Sequence, residues 1–225
     1  MIINGLEKLT IQDYPEHLAC IIFTAGCNFQ CPFCQNSSLI KMNQKGLISE
    51  DEVLAYLTKR QHILDGVVIS GGEPTVQKDL KDFILKVKAL KLDVKLDTNG
   101  YNPKILQELI TSHLIDYVAM DIKNVPEKYE LTCGKKIAFA HIAKSINILK
   151  NSSLPHEFRT TIIKEEHTLE DIKKIISLIG NDHYYLQNFK ESPDVLAKNL
   201  HGFSNEELTF IQKELQSTNA IVRGL

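Results

Sequence analysis

Six apolar runs rich in β-branched residues recur along the chain, and stretches with helical periodicity separate them. Strands are predicted near 17–24, 65–70, 92–98, 116–122, 157–163 and 183–189. Helices are predicted to begin near 50 and near 205, and to cover 77–91, 103–113, 136–150 and 169–179. Such alternation favours parallel strands joined by right-handed crossovers. The fold class is therefore α/β, either a doubly wound sheet or a full or partial barrel with the helices outside.

Two of the predicted helix starts carry a capping box. Ser49 precedes Glu52, and Ser204 precedes Glu207, each at the spacing that lets a hydroxyl and a carboxylate satisfy free amide groups reciprocally. We therefore expect helices to begin directly after Ser49 and Ser204.

Length and charge limit the class of protein. The chain has 225 residues, and 43% of them are hydrophobic, so we expect a single domain over 1–225. The net charge of −2 comes from interspersed acids and bases, which argues against a nucleic-acid or membrane-surface partner. No signal peptide or membrane-length apolar run is visible in the sequence, so a cytoplasmic location is expected.

Three of the five cysteines follow the first predicted strand with the spacing C-x3-C-x2-C: Cys27, Cys31 and Cys34. In a reducing compartment such a cluster favours a metal or catalytic site over disulfides. A structural zinc site takes four protein ligands, but Cys20 lies within the strand and Cys133 is distant in sequence. An iron-sulfur cluster held by three thiolates would keep one iron open. A zinc site and a thiol-disulfide pair in "CPFC" are the alternatives. Cys20 is predicted to be a core residue, and Cys133 an incidental loop thiol.

Two further polar motifs follow predicted strands. "SGGEP" covers 70–74, where adjacent glycines allow a close backbone approach and an acid follows them. "LDTNG" covers 96–100 and, considered alone, is more typical of an ordinary Asx turn. Both motifs lie at carboxyl ends of strands, where α/β folds bind their ligands.

The motifs together carry a family resemblance. "GLEKLTIQDYP", "GCNFQCPFCQN", "SGGEP", "LDTNG", "MDIK" and "FRTTII" resemble the glycyl-radical-enzyme activating proteins of the radical S-adenosylmethionine (SAM) superfamily, above all activators of anaerobic ribonucleoside-triphosphate reductase. The resemblance implies a partial (βα)6 barrel of parallel strands with outer helices. It also implies one 4Fe-4S cluster on the three cysteines, whose open iron is chelated by SAM.

The resemblance also implies roles for residues that hold SAM. Gly71, Gly72 and Glu73 match a motif that contacts the methionine amine, and Asp97 matches an acid that contacts SAM. Thr98 and Asp121 match residues that help to hold a monovalent cation near the SAM carboxylate. Such a cation would relieve the repulsion between converging carboxylates.

Four later residues are further candidates. Lys123 and Arg159 would add positive charge near the same carboxylate or serve as ordinary rim charges, and Gln187 and Asn188 are candidates to contact adenosine. No catalytic residue is expected beyond the cluster and SAM.

The implied activity is reductive cleavage of SAM to a 5′-deoxyadenosyl radical, which abstracts hydrogen from a glycine of a partner. The expected partner is anaerobic ribonucleotide reductase, with flavodoxin or ferredoxin as electron donor. Activation of another glycyl radical enzyme, or small-molecule chemistry such as that of 7-carboxy-7-deazaguanine synthase, is an alternative. An iron-sulfur electron carrier or a metal-stabilised binding module is the non-enzymatic alternative.

Overall fold

The computed structural model of the protein describes residues 1–42 and 45–223. All six predicted strands are present, and two strands that the sequence patterns do not predict join them at the edges. The strands are β1 (Ile3–Thr10), β2 (Ala19–Thr24), β3 (Gly66–Gly71), β4 (Asp93–Thr98), β5 (Tyr117–Asp121), β6 (His156–Ile162), β7 (Tyr184–Asn188) and β8 (Ala220–Arg223). They form one sheet in sequence order. β2 to β8 are parallel, and β1 pairs with β2 in the antiparallel direction.

The α-helices are α1 (Glu50–Arg60), α2 (Leu80–Ala89), α3 (Pro103–Thr111), α4 (Tyr129–Cys133), α5 (Phe139–Lys150), α6 (Leu169–Ile179) and α7 (Asn205–Glu214). Both predicted capping boxes, at the starts of α1 and α7, are formed. A third capping box, from Thr168 and Asp171, begins α6. Only the five-residue α4 was not predicted among these helices.

The sheet is curved, because residues from β1 (Glu7) to β7 (Gln187) line one common cavity. Side chains such as Val67, Ile69 and Leu96 pack in the large core that also contains the buried faces of the helices. A second, smaller cluster contains Tyr14 and Val68 on the inner face. The Tyr14 ring lies 5.9 Å from the ring of Tyr117 on β5. The predicted partial barrel is confirmed.

The barrel is open in the part of the chain that the structure describes, because β1 and β8 are the two edges of the sheet. β1 was not predicted because buried and exposed residues do not alternate along it. β8 was not predicted because it has only four residues. Of the helices described, none has the length and apolar character needed to cross a bilayer.

Candidate active site

A cavity of about 380 Å³ lies at the carboxyl ends of the parallel strands. Eleven residues singled out from the sequence for the cluster and SAM line it: Cys27, Cys31, Cys34, Gly71, Gly72, Glu73, Asp97, Thr98, Asp121, Lys123 and Arg159. Gln187 lines the cavity as well. Asn188 instead forms two hydrogen bonds with the backbone of Phe203, at 2.9 and 2.8 Å, and is not part of the lining.

The loop of residues 25–36, which we call the cysteine loop, is held at its start by backbone hydrogen bonds. Gly26 N donates to Leu39 O at 2.7 Å, and Cys27 N donates to Ile40 O at 3.0 Å. Cys31 is buried, with 7% of its surface exposed, whereas Cys27 and Cys34 are half-buried. Burial raises the pKa of Cys27 to about 11 and that of Cys31 to about 12. These thiols are therefore protonated in the cofactor-free protein, and metal binding has to displace their protons.

The thiol set fits an iron-sulfur cluster. Three cysteines share the wall of one cavity of about 380 Å³, and three thiolates can hold such a cluster while leaving one iron open. Cys133 directs its thiol to the carbonyl oxygens of Glu130 and Lys135, at 3.7 and 3.2 Å. Within residues 1–42 and 45–223, no three His, Cys, Asp or Glu side chains come close enough together to hold a single metal ion.

The two glycines of "SGGEP" allow the loop after β3 to lie directly on the backbone of β2 and the cysteine loop. A Cβ atom on Gly71 would lie 2.4 Å from Thr24 N and O, and one on Gly72 would lie 2.3 Å from Gly26 O. The amides of Gly72 and Glu73 donate to Thr24 O and Gly26 O, both at 2.8 Å. The close approach that these glycines permit is thus to the protein's own backbone.

Glu73 joins the loops that follow β3 and β4. Its side chain is 1% exposed, and burial raises its pKa. Oε1 accepts from Thr75 N at 3.0 Å, from Thr75 Oγ1, and from Thr98 Oγ1 at 2.7 Å, while Oε2 accepts from Asn99 N at 2.7 Å. The side chain of Asn99 continues the link by donating to Asn28 Oδ1 of the cysteine loop at 2.7 Å.

Five charged side chains form a row of alternating sign across β4, β5 and β6. Lys95 Nζ lies 2.5 Å from Asp97, and Asp97 lies 3.4 Å from Arg159. Arg159 Nε lies 3.0 Å from Asp121, and Asp121 lies 3.0 Å from Lys123 Nζ. The group between the two carboxylates is therefore the Arg159 guanidinium.

The carboxyl groups of this row are held ionised. Burial opposes ionisation of Asp121, but the charges of Lys123 and Arg159 outweigh it and lower the pKa to about 2. Burial likewise opposes ionisation of Asp97, and Arg159 and Lys95 lower its pKa. Lys95 was missed by the sequence analysis, although it lies two residues before Asp97 and so points to the same face of β4.

Lys123 is the end of this row that lies nearest to the cysteine loop. Its Nζ lies 6.0 Å from the centroid of the Phe33 ring. Its backbone is fixed on both sides, because Lys123 N donates to Tyr129 Oη at 3.2 Å and His167 Nε2 lies 2.8 Å from Lys123 O. Glu7, Asp13 and Thr161 also line the cavity and were not singled out. For Thr161, its position two residues after Arg159 on the same strand was an available signal.

Comparison with known proteins identifies relatives over most of the chain. A sequence profile described as the Radical SAM superfamily matches residues 21–179. A Methanocaldococcus jannaschii protein, provisionally named a glycyl-radical enzyme activating enzyme, is 35% identical over an alignment of 237 positions. The alignment covers 100% of this chain and 96% of that protein. The pyruvate formate-lyase-activating enzyme of Listeria monocytogenes is 30% identical over 154 residues, which cover 62% of each chain.

Solved structures share the fold. Streptococcus suis SuiB, bound to the precursor peptide SuiA, matches 91% of this chain and 48% of its own, with a TM-score of 0.74 and 16% identity. A domain of a pyruvate-formate lyase-activating enzyme from Bacteroides vulgatus matches 71% of this chain and 99% of its own, with a TM-score of 0.58 and 16% identity. At such identities the likeness concerns the fold alone.

Proposed function

The chain belongs to the radical SAM superfamily, and we propose that it installs a glycyl radical in a partner enzyme. Relatives that are named glycyl-radical-enzyme activating enzymes support this proposal, and the radical SAM family implies a 4Fe-4S cluster and SAM. One observation carries the proposal: the three cysteines, the Glu73 loop and the Asp97–Arg159–Asp121 row line a single cavity. The partner we propose is anaerobic ribonucleotide reductase, because the motif "GLEKLTIQDYP" before β2 resembles that of its activators.

Cys27, Cys31 and Cys34 would hold the cluster and keep one iron open for SAM. A bound cluster would supply the one electron needed to split SAM into methionine and a 5′-deoxyadenosyl radical, and this radical would take a hydrogen atom from the partner's glycine. The backbone of residues 71–73 would bind the methionine amine. The Glu73 side chain would hold that backbone in place, since its acceptor positions are engaged by Thr75, Thr98 and Asn99.

The charged row would bind the carboxylate end of SAM. Lys95, Arg159 and Lys123 carry three positive charges against the two negative charges of Asp97 and Asp121, so the row favours an anion.

A monovalent cation beside Thr98 and Asp121 is also proposed. Because Arg159 already separates the carboxylates, we expect the cation to act on SAM affinity rather than folding stability. Exchanging K⁺ for tetramethylammonium in SAM titrations and in urea unfolding checks this expectation.

Apolar side chains would protect the radical. Phe23, Phe29 and Phe33 contribute an aromatic wall to the cavity, which limits the water that can enter. The adenosine would extend toward Gln187 on β7.

We further propose that the partner's glycine loop enters through the open side between β1 and β8. Flavodoxin or ferredoxin would donate the electron. The protein would act as one domain in the cytoplasm.

Electron paramagnetic resonance tests this function. The anaerobically reconstituted protein, carrying about four irons per chain, is mixed with SAM, a reductant and the anaerobic ribonucleotide reductase of the same source. We expect a glycyl-radical doublet that is lost in Cys31→Ala. It should persist in Cys20→Ala, which removes a buried thiol of β2 outside the cavity lining.

The other outcomes distinguish an error in the proposed partner from an error in the proposed SAM cleavage. If 5′-deoxyadenosine forms without a doublet, SAM cleavage stands and the ribonucleotide reductase assignment is wrong. Other glycyl radical enzymes and the substrate of 7-carboxy-7-deazaguanine synthase are then the next to be assayed. If the loaded protein gives neither product nor doublet, the proposed function is wrong.

A further inference from the structure

We propose that Cys133 and Gly134, at the C-terminal end of α4, position the middle cysteine of the cysteine loop, Cys31, before any cofactor binds. Gln30 N donates to Cys133 O at 2.9 Å. Gly134 has φ of 68° and ψ of 17°, in the left-handed region. A Cβ atom on Gly134 would lie 2.1 Å from Gln30 O and 2.8 Å from Gln30 C, so only glycine fits against this part of the loop.

Cys31 is held on both sides by segments that are remote in sequence. Before it, the Gln30 amide is bound by Cys133, and after it, Pro32 O accepts from Ala197 N at 2.9 Å. Cys31 is also the buried member of the three cysteines. Backbone bonds on either side of one residue restrict its main chain, so the Cys31 thiol is presented at a defined place on the cavity wall.

Helix α4 is anchored to the loop that carries Lys123. Tyr129, in the first turn of α4, is fully buried and accepts from Lys123 N at 3.2 Å. Its ring lies 6.4 Å from the ring of Phe29. Thr132 Oγ1 accepts from Asn124 Nδ2 at 2.9 Å. The short helix α4 therefore connects the β5 loop to the cysteine loop, and a shift at Gly134 would be transmitted to Gln30.

A simpler role for Gly134 is to end α4, as glycine does at many helix C-termini. The two roles predict different results. A helix terminator affects global stability only, whereas a positioning residue changes the accessibility of Cys31 in protein that stays folded.

The test uses the full cofactor-free chain and measures the alkylation rate of each cysteine by mass spectrometry under native conditions. Gly134→Ala should raise the Cys31 rate by at least about tenfold, because local opening of the loop exposes this thiol. Gly134→Asn should do the same, because asparagine tolerates the left-handed region but still carries the colliding Cβ. Iron bound per chain after reconstitution should fall by about half or more in both variants.

Gly180→Ala is the matched control. Gly180 follows α6 with φ of 78°, and the nearest atom to an added Cβ is Lys150 Nζ at 3.2 Å, the end of a flexible side chain. This variant should lose thermal stability yet keep the Cys31 alkylation rate and the iron content within about twofold of wild type.

Wild-type alkylation and iron content in folded Gly134→Ala and Gly134→Asn would overturn the proposal. If neither variant folds, hydrogen exchange of the wild-type protein decides, because the Gln30 amide must exchange at least about 100-fold more slowly than in an unstructured peptide. A freely exchanging Gln30 amide would refute the positioning role. These readouts do not depend on SAM cleavage, so they can fail or succeed independently of the proposed function.

Discussion

Arg159 donates a hydrogen bond from Nε to Asp121 Oδ1 at 3.0 Å. The other end of its guanidinium reaches Asp97 at 3.4 Å, so one cation joins the carboxyl groups of two neighbouring strands. Because all three side chains lie at the cavity wall, this pairing contributes both to folding and to the charge that a ligand meets.

Removing this cation should be costly. Arg159→Met leaves the two carboxylates with Lys95 and Lys123 as their remaining charged partners, and breaking such a buried network should destabilise the protein by about 3 kcal/mol. Urea unfolding at pH 7 measures the loss. Lys81→Met is the control, since it breaks an exposed pair with Glu108 and should cost less than about 1 kcal/mol. Equal losses in the two variants would contradict the role assigned to Arg159.

Stability should depend on Asp121 in acid. The folded-state pKa of about 2 lies below the unfolded value, so the Asp121 contribution is complete above about pH 4 and is lost as the pH falls toward 2. Asp121→Asn should therefore be less stable than wild type at pH 6, and the difference should shrink toward pH 3. Urea midpoints at pH 3, 4, 5 and 6 test this, and a difference that stays constant would count against it.

The Glu73 carboxylate should stabilise the protein in the absence of any ligand. In Glu73→Gln, the amide nitrogen replaces one acceptor and faces a donor, so we expect a loss of about 1–3 kcal/mol. The Asn99 amide should also exchange faster with solvent. Glu52→Gln is the control, because glutamine also serves in a capping box and should cost less than about 0.5 kcal/mol. An unchanged Asn99 exchange rate would show that Glu73 does not hold this loop.

Gly72 should tolerate no side chain. The added Cβ of Gly72→Ala meets Gly26 O at 2.3 Å, a backbone atom that cannot rotate away. We expect a loss of about 2 kcal/mol, or roughly 4–8 °C in Tm. At Gly46, the nearest atoms to an added Cβ lie at 3.4 Å, and Gly46→Ala should be within about 1 kcal/mol of wild type. Similar Tm values for both variants would disprove the steric argument.

Much of the fold follows from local patterns. The six predicted strands begin and end within about two residues of the observed bounds, because β-branched runs and turn residues mark them locally. β1 and β8 lie at the edges of the sheet, where one side has no partner strand, and their burial gives no clear alternation over enough residues. The five residues of α4 are too few for a helical period to be recognised.

The sequence by itself determined where the chemistry gathers. Motifs that follow consecutive parallel strands must meet at one rim, and all the site residues predicted from them line one cavity. Only the tertiary structure decided how they pair. Arg159 between Asp97 and Asp121, four donors on Glu73, and Gly134 against Gln30 join residues that are distant along the chain. Such pairings depend on strand register and loop packing, and periodicity and spacing in the sequence do not encode distances of that kind.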